Sequence, residues 1–370
     1  MRLQKLWLKQ FRNLSETVFE FKSGCSVFLV GENNQGKTNF LESVYTLGHG
    51  VSVKEKSTDN IVQFNTPEAL LGGDFYDENS QEKQRVYLKL SSDGKRYIFI
   101  DGVVQKKLST LIDIANIEFL SADVLHIFQE SAGFRRGVLD KFATKMFPEY
   151  GGLLKQYERV LSQRNRLLKT KKRTPELVIF NQQLIEFGSK IMRLRISLLN
   201  QLEEKLSVWI SSLILDSVKL CQCVYQINKV NSVYSQLGYE EWLSDQFKQN
   251  EDKEYELGFT TAGIHRDDFD IQLNDKSLYT FYSRGINRSV AILLYCAQLL
   301  LVESNKNRKP ILCLDDTFAE IDRDKKRALI QFLEKNAQLF YCSVIESDKD
   351  LFNCCEMYKI TNGRINKCLT

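Results

Sequence analysis

Lys37 and Thr38 close the octet Gly31-Glu32-Asn33-Asn34-Gln35-Gly36-Lys37-Thr38, which fits the spacing G-x-x-x-x-G-K-[ST] of a phosphate-binding loop. Glycines let backbone wrap a phosphate, and a helix that follows turns free N–H groups and partial positive charge toward it. Lys37 would reach the β- and γ-phosphates and the Thr38 hydroxyl would bind Mg²⁺. The nucleotide contacts are expected from Gly31, Glu32, Asn33, Asn34, Gln35, Gly36, Lys37, Thr38 and Asn39. A second chemical group lies nearly three hundred residues on, where the apolar run Ile311-Leu312-Cys313-Leu314 ends in Asp315-Asp316. Phosphoryl transfer needs a carboxylate on the metal opposite the loop hydroxyl and a group that orients the attacking water. Asp315 suits the first task and Asp316 the second, although strand-end acids are also common turn residues. A third candidate is Ser283-Arg284-Gly285-Ile286-Asn287-Arg288, a serine and glycine opening an apolar helix. By spacing alone this is an ordinary helix cap.

These residues need elements to hold them. Cys25 to Val30 reads as a buried strand, and Asn39 to Leu47 has helical spacing at Phe40, Val44 and Leu47, so the octet lies between strand and helix. Leu3 to Lys9 and Val18 to Phe21 read as strands. So do Ala69 to Tyr76, Arg85 to Leu90 and Arg96 to Ile100, with turns at Ser92-Asp93-Gly94 and Asp101-Gly102. Val51 to Asn60 is a loop. From Ser121 to about residue 250 the pattern is mostly helical. Leu184, Phe187, Ile191, Leu194, Leu198, Leu202 and Leu206 step by threes and fours, as in a short coiled-coil seam. Strands return at Tyr255 to Phe259, Phe269 to Leu273 and Ser277 to Phe281. Then come a helix from Arg288 to Glu303, a strand from Pro310 to Leu314, a helix from Asp324 to Lys335 and a strand from Gln338 to Ile345. This last alternation argues a parallel sheet with crossover helices.

The 370 residues carry 43% apolar and 26% charged side chains and a net charge of +4, as in a soluble globular protein. Nine cysteines form no C-x-x-C pair, so buried thiols are expected in preference to a disulfide framework or a zinc site. The first residues lack the apolar core of a signal peptide. The apolar run Val290 to Val302 is too short to cross a bilayer, which takes ~20 residues. No membrane is expected, and the location expected is cytoplasmic.

The modest total hides a dipole. Residues 151–195 hold eleven Lys or Arg against three Asp or Glu, and residues 240–256 hold seven acids against two lysines. Leu153 to Leu168 is amphipathic, and Lys169 to Pro175 would join it to the seam helix as the tip of a helical arm. Either this basic arm meets a polyanion, most simply DNA phosphate, through Arg164, Arg166, Lys169, Lys171, Lys172 and Arg173, or it is a solvated helical face.

The motifs in order resemble the SMC-like branch of ABC-type ATPases, and within it the RecF family. Phe11-Arg12-Asn13 resembles that family's F-R-N segment, and Gly31 to Asn39 its G-x-N-x-x-G-K-T-N loop. Phe119-Leu120-Ser121-Ala122-Asp123 and Arg135-Arg136-Gly137-Val138-Leu139-Asp140 resemble its F-S-P-x-D and R-R-x-F-L-D segments. Gln163-Arg164-Asn165 resembles its Q-R-N, and Gly263-Ile264-His265-Arg266-Asp267-Asp268 its G-P-H-R-D-D. Ser283 to Arg288 resembles its signature S-Q-G-Q-Q-R. Leu314-Asp315-Asp316 and Ala319-Glu320-Ile321-Asp322 resemble its L-D-D and S-E-L-D. The chain departs at Arg284, Ile286 and Asn287 of the signature and at Ile264. At Lys54-Glu55-Lys56-Ser57 no S-F-R segment is clear, and Ser343-Val344-Ile345-Glu346 replaces a threonine-rich strand end.

The resemblance implies an α/β fold: an ABC-type ATPase head from residues 1–120 and 255–370, including an antiparallel sheet, and a mainly helical arm domain from 121–254. It implies two heads closing head-to-tail on ATP and Mg²⁺, with Lys37, Asp315 and Asp316 of one meeting Ser283 of the other. Gly285, Arg288 and Asp322 would lie along that dimer seam, and His265 and Arg266 near the sugar-phosphate or the DNA side. His265 could equally be a packed core histidine, and Arg135 and Arg136 a solvated helix start. The implied function is an ATP-dependent DNA-binding repair protein with slow, DNA-dependent hydrolysis. It would act as a homodimer on single-stranded, gapped and double-stranded DNA, and help load recombinase with RecO and RecR. The alternative is a nucleotide-gated binding module with little hydrolysis, which the short Asp316 and the altered signature keep open. A transporter ATPase would carry L-S-G-G-Q and a switch histidine. An overcoming-lysogenisation-type nuclease would need a longer C-terminus.

Overall fold

The computed structural model describes residues 1–53, 60–78, 80–228, 230–231, 236–304 and 309–368. The expected loop at Val51 to Asn60 and the segment Lys54 to Ser57 fall largely or wholly outside them. Two compact units emerge, residues 1–125 with 299–370, and residues 126–298.

The first unit begins with β1 (Arg2–Lys9), β2 (Thr17–Glu20) and β3 (Ser26–Val30), followed by α1 (Lys37–His49). Next come β4 (Glu68–Tyr76), β5 (Lys83–Ser91), β6 (Arg96–Ile100), β7 (Val103–Gln105), α2 (Ser109–Ile114) and β8 (Ile117–Ser121). Five strands join β1 in an antiparallel sheet ordered β2-β1-β4-β5-β6-β7. Its alternation of apolar and polar residues fits one buried face.

The second unit holds α3 (Ala132–Met146), α4 (Tyr150–Thr170), α5 (Glu176–Leu213), β9 (Cys221–Ile227), β10 (Val230–Asn231), α6 (Gln236–Gln249), α7 (Glu251–Leu257), β11 (Asp268–Leu273), β12 (Lys276–Ser277) and α8 (Leu278–Phe281). The 38-residue α5 buries Leu184, Ile191, Leu198, Leu202 and Leu206 along one stripe, as its spacing predicts. Two expectations differ. The expected strand at Tyr255 to Phe259 is largely the helix α7, whose first turn carries Glu251, Asp252 and Glu254, a placement the helix dipole favours. The expected strand at Ser277 to Phe281 is a two-residue bridge and one helical turn. The mostly helical stretch is also interrupted by β9, whose side chains alternate buried and half-buried. Strand β9 pairs along its length with β11, from Cys221↔Leu273 to Gln226↔Asp268. That pairing ties residues 255–298 into the second unit, where the resemblance placed them with the head.

Helix α9 (Arg284–Ser304) spans the division. It is long and apolar enough to cross a membrane, but 72% of its most apolar window is buried, the mark of a core helix. The chain then completes the first unit with β13 (Ile311–Asp315), α10 (Arg323–Asn336), β14 (Gln338–Ser343), β15 (Cys355–Thr361) and β16 (Arg364–Lys367). These build the sheet β16-β15-β3-β14-β13-β8, parallel except at β16. Val27, Leu29, Phe40, Val44, Ile311, Cys313 and Phe340 fill its core with the inner face of the antiparallel sheet. Cys25 and Cys354, expected as free thiols, form a disulfide. They come together because β3 and β15 are parallel neighbours paired from Ser26↔Cys355. The seven other cysteines are free, and Cys221, Cys223, Cys296, Cys313 and Cys342 are buried.

Candidate nucleotide site

Parallel pairing places the ends of β3 and β13 at one edge of the sheet. Val30 pairs with Ser343 of β14, and Cys342 beside it pairs with Asp315. With one strand between them, the two ends lie about 10 Å apart. The loop leaving β3 bridges that gap. Asn34 has φ 64° and Gly36 φ 111°, so Gly36 turns the chain as few other residues can and starts α1. No side chain caps α1, which leaves its first N–H groups for an anion. The Lys37 ammonium donates to the carbonyls of Gly31 at 2.7 Å and Glu32 at 3.0 Å, and so lies folded over the loop where a phosphate would sit. Thr38 Oγ1 donates to Asp315 Oδ2 at 2.8 Å. The two proposed metal ligands, 277 residues apart, thus touch. Hydroxyl and carboxylate oxygens suit Mg²⁺, which keeps several waters and takes only one or two protein ligands beside phosphate. Among the described residues no group of three or more His, Cys, Asp or Glu could form an all-protein metal cage.

Asp316 leaves β13 with φ 48°, the left-handed geometry Asp tolerates better than most residues. Arg12 forks onto Glu42 at 2.6 and 2.8 Å, and Asn39 Nδ2 donates to Asn13 Oδ1 at 2.7 Å. Beside them opens a cleft of about 460 Å³ lined by Arg12, Asn13, Asn39, Asn60, Gln63 and the exposed ring of Phe64. Glu42 was not singled out from the sequence, though a carboxylate between Leu41 and Val44 on an apolar face was a usable signal. Asp322 caps α10, accepting from Lys325 N at 3.0 Å, with the Lys325 ammonium 2.6 Å away.

Within the second unit Ser283 is exposed just before α9 and accepts from Ile286 N at 3.4 Å. Arg288 is buried, with Nη2 3.1 Å from His126 Nε2. Gly285 is half-buried.

The model of the RecF/RecN/SMC N terminal domain matches residues 2–366. The chain belongs to this family, on its RecF branch. A DNA replication and repair protein RecF of Halothermothrix orenii is 30% identical over 99% of both chains, and one of Ligilactobacillus salivarius is 32% identical over 99% of this chain and 98% of its own. Among solved structures, the recombination mediator protein RecF with ATP has a TM-score of 0.79 at 26% identity, covering 99% of this chain and 97% of that one. An SMC head bound to a winged-helix domain of ScpA shares the fold, with a TM-score of 0.60 at 13% identity.

Two of the RecF-like motifs, Arg135 to Asp140 and Gly263 to Asp268, meet in a largely buried polar network within the second unit. Arg135, read as a solvated helix start or a functional group, forks onto Asp268 at 2.9 and 2.6 Å. Arg136 donates to the Asp267 carbonyl at 2.7 Å. Arg195 holds Asp140 at 2.9 and 3.0 Å and the Ile264 carbonyl at 2.9 Å. His265 is the packed histidine. Its Nε2 faces the Thr260 carbonyl at 3.2 Å, which can only accept, so Nδ1 accepts from the Tyr157 hydroxyl at 2.8 Å. Burial pulls its pKa down to about 4, and burial pushes the Asp267 carboxyl up to about 6. Arg266 is exposed, stacked over the Phe259 ring at 5.2 Å.

One proposed DNA contact is overturned. Arg164 is fully buried, paired with the equally buried Glu254 at 2.7 Å and bonded to Asn181 at 2.7 Å and Thr260 at 2.8 Å. It falls on the inner stripe of α4 with Tyr157, Val160 and Leu168. Arg166, Lys169, Lys171, Lys172 and Arg173 are exposed, and Arg173 is paired with Asp252.

Proposed function

We propose that this chain is an ATP-binding, ATP-hydrolysing protein of DNA replication and repair whose ATP state sets its grip on DNA. The observation that carries the reading is the 2.8 Å contact between Thr38 and Asp315. It brings the phosphate loop and the acidic strand end within hydrogen-bond distance of each other, which supports reading them as two halves of one site. Lys37 would move from the loop carbonyls to the phosphates, and Thr38 and Asp315 would hold Mg²⁺, which supplies charge neutralisation at the phosphates. Asp316 would orient the attacking water. Ser283 would meet the γ-phosphate of a second molecule, with Gly285, Arg288 and Asp322 near that seam. RecF relatives and the solved RecF–ATP structure support this reading. So does the exposed basic tip of the arm, which suits DNA phosphate. A cytoplasmic location and assembly with RecR and RecO follow the same branch of the family.

The test is binding to a gapped duplex with and without ATP, by gel shift, for wild type, Lys37→Met and Ser283→Arg. ATP should tighten wild-type binding and leave both variants unchanged; binding indifferent to ATP and to both substitutions excludes the switch. Asp316 is one methylene shorter than a glutamate, which favours a second reading, a binding module with little turnover. Steady phosphate release that disappears in Asp316→Asn excludes it, and Asn tolerates the same positive φ.

A further inference from the structure

The last hairpin of the chain reaches back to the phosphate loop. Strand β15 runs parallel beside β3, pairing Tyr358 with Leu29 and Lys359 with Val30, so it emerges at the edge where the loop begins. It then reverses through Asn362 at φ 49° and Gly363 at φ 75°, the tight hairpin turn that needs two positive φ values. Asn362 N donates to Gln35 Oε1 at 2.5 Å. Gly363 N donates to the Gln35 carbonyl at 3.0 Å, and the Gly363 carbonyl accepts from Ser15 N at 3.0 Å. A Cβ on Gly363 would lie 1.9 Å from the Asn13 carbonyl oxygen, and one on Gly31 would lie 2.6 Å from the Ile360 carbonyl oxygen. Asn13 in turn accepts from Asn39. The loop is therefore gripped at Gly31, at Gln35 and at Asn39.

We propose that this turn is a clamp that positions the phosphate loop, with Asn362 and Gly363 as its positioning residues. The loop offers backbone N–H groups, whose aim depends on the peptide planes of residues 33–36. A loop without anchors would have to be ordered on binding, at a cost in affinity. Two hydrogen bonds onto Gln35 hold one of those planes and its side chain before nucleotide arrives. Nothing in the turn needs to touch the phosphate.

The proposal rests on the ATP reading, and the experiment separates the two. Fluorescent ATP and ADP are titrated by anisotropy into wild type, Gly363→Ala, Gln35→Ala and, as a reference, Lys37→Met. Amide exchange of the peptide covering residues 31–39 is followed without nucleotide. In Gly363→Ala the new methyl collides with Asn13, and affinity for both nucleotides should fall about tenfold, which is about 1.4 kcal/mol. Its KM for ATP should rise with kcat held. Gln35→Ala keeps the loop backbone that offers N–H groups to a nucleotide but removes the side-chain acceptor for Asn362, and should weaken binding by about threefold. Exchange in residues 31–39 should quicken in both. If wild type binds no ATP, the ATP reading itself fails. If wild type binds and both variants match it in affinity and loop exchange, melting lower or not, the turn is scaffold and the clamp is wrong. Should Gly363→Ala fail to fold, Gln35→Ala decides by the same readouts, since its side chain fills no core.

Discussion

His265 and Asp267 show how a motif can be conspicuous in sequence and internal in structure. The neutral imidazole is held between an acceptor and a donor, and burial keeps its pKa at about 4 against 6.5 when unfolded. Folding therefore excludes a proton that the unfolded chain takes up below pH 6.5, and stability falls as pH drops from 6.5 toward 4. Asp267 has the opposite sign. Its pKa of about 6 against 3.8 gives stability that is present below 3.8 and lost as pH rises through 6. The two contributions oppose each other in the wild type. In His265→Gln only the carboxyl remains. Denaturant unfolding should then show the variant gaining on wild type by about 2 kcal/mol between pH 7 and pH 5. A constant difference across that range would mean that His265 does not titrate as its surroundings dictate.

At the scale of elements, α4 divides its cations by face. Arg164 points inward to Glu254, Asn181 and Thr260, with its guanidinium 4.5 Å above the Phe247 ring. Lys169, Lys171 and Lys172 point to solvent at the tip. The tip is seated by Leu168 and Leu177 packing on Tyr255 of α7. The acidic run of residues 240–256 is thus in part a neighbour of the basic one, through Arg173 with Asp252 and Glu254 with Arg164. The two groups of cations should behave differently. Arg164→Met strands a buried carboxylate and should cost about 3–5 kcal/mol of stability in urea unfolding. Replacing Lys169, Lys171 and Lys172 together by Gln should leave the unfolding midpoint in place. It should lower gapped-duplex affinity and flatten its dependence on log salt by up to about three units. An unchanged salt slope would take the tip out of the DNA contact.

At the scale of the molecule, the first unit is made from both ends of the chain, and Cys25–Cys354 ties them with a separation of 329 residues. Closing so long a loop restricts the unfolded chain, by an entropic estimate of up to about 5 kcal/mol. Reductant should lower the denaturation midpoint of wild type and have no effect on Cys25→Ser; equal midpoints with and without reductant would show that the bridge contributes nothing. The same closure assembles the candidate nucleotide site from four segments: Phe11 to Ser15, Gly31 to Asn39, Asp315, and the β15–β16 turn.

What the sequence by itself determined is local. The spacing of Gly31, Gly36, Lys37 and Thr38 between an apolar strand and a helix marks a phosphate loop, because that chemistry depends on residues adjacent in the chain. The leucine spacing of α5 and the apolar run of β13 are legible for the same reason. Tertiary structure alone decided what depends on which strands pair. The run of residues 221–227 is a strand because β11 lies beside it, and Cys25 has Cys354 as its disulfide partner because β15 lies beside β3. Arg164 lies in the interior and His265 is packed between Tyr157 and Thr260, placements that their polar character hides in a one-dimensional reading. Asn362 and Gly363 look like any hairpin turn until parallel pairing of β15 with β3 delivers them to Gln35. Hydrogen bonds and burial are properties of neighbours in space, and Asn362 and Gln35, which bond directly, lie 327 positions apart in the chain.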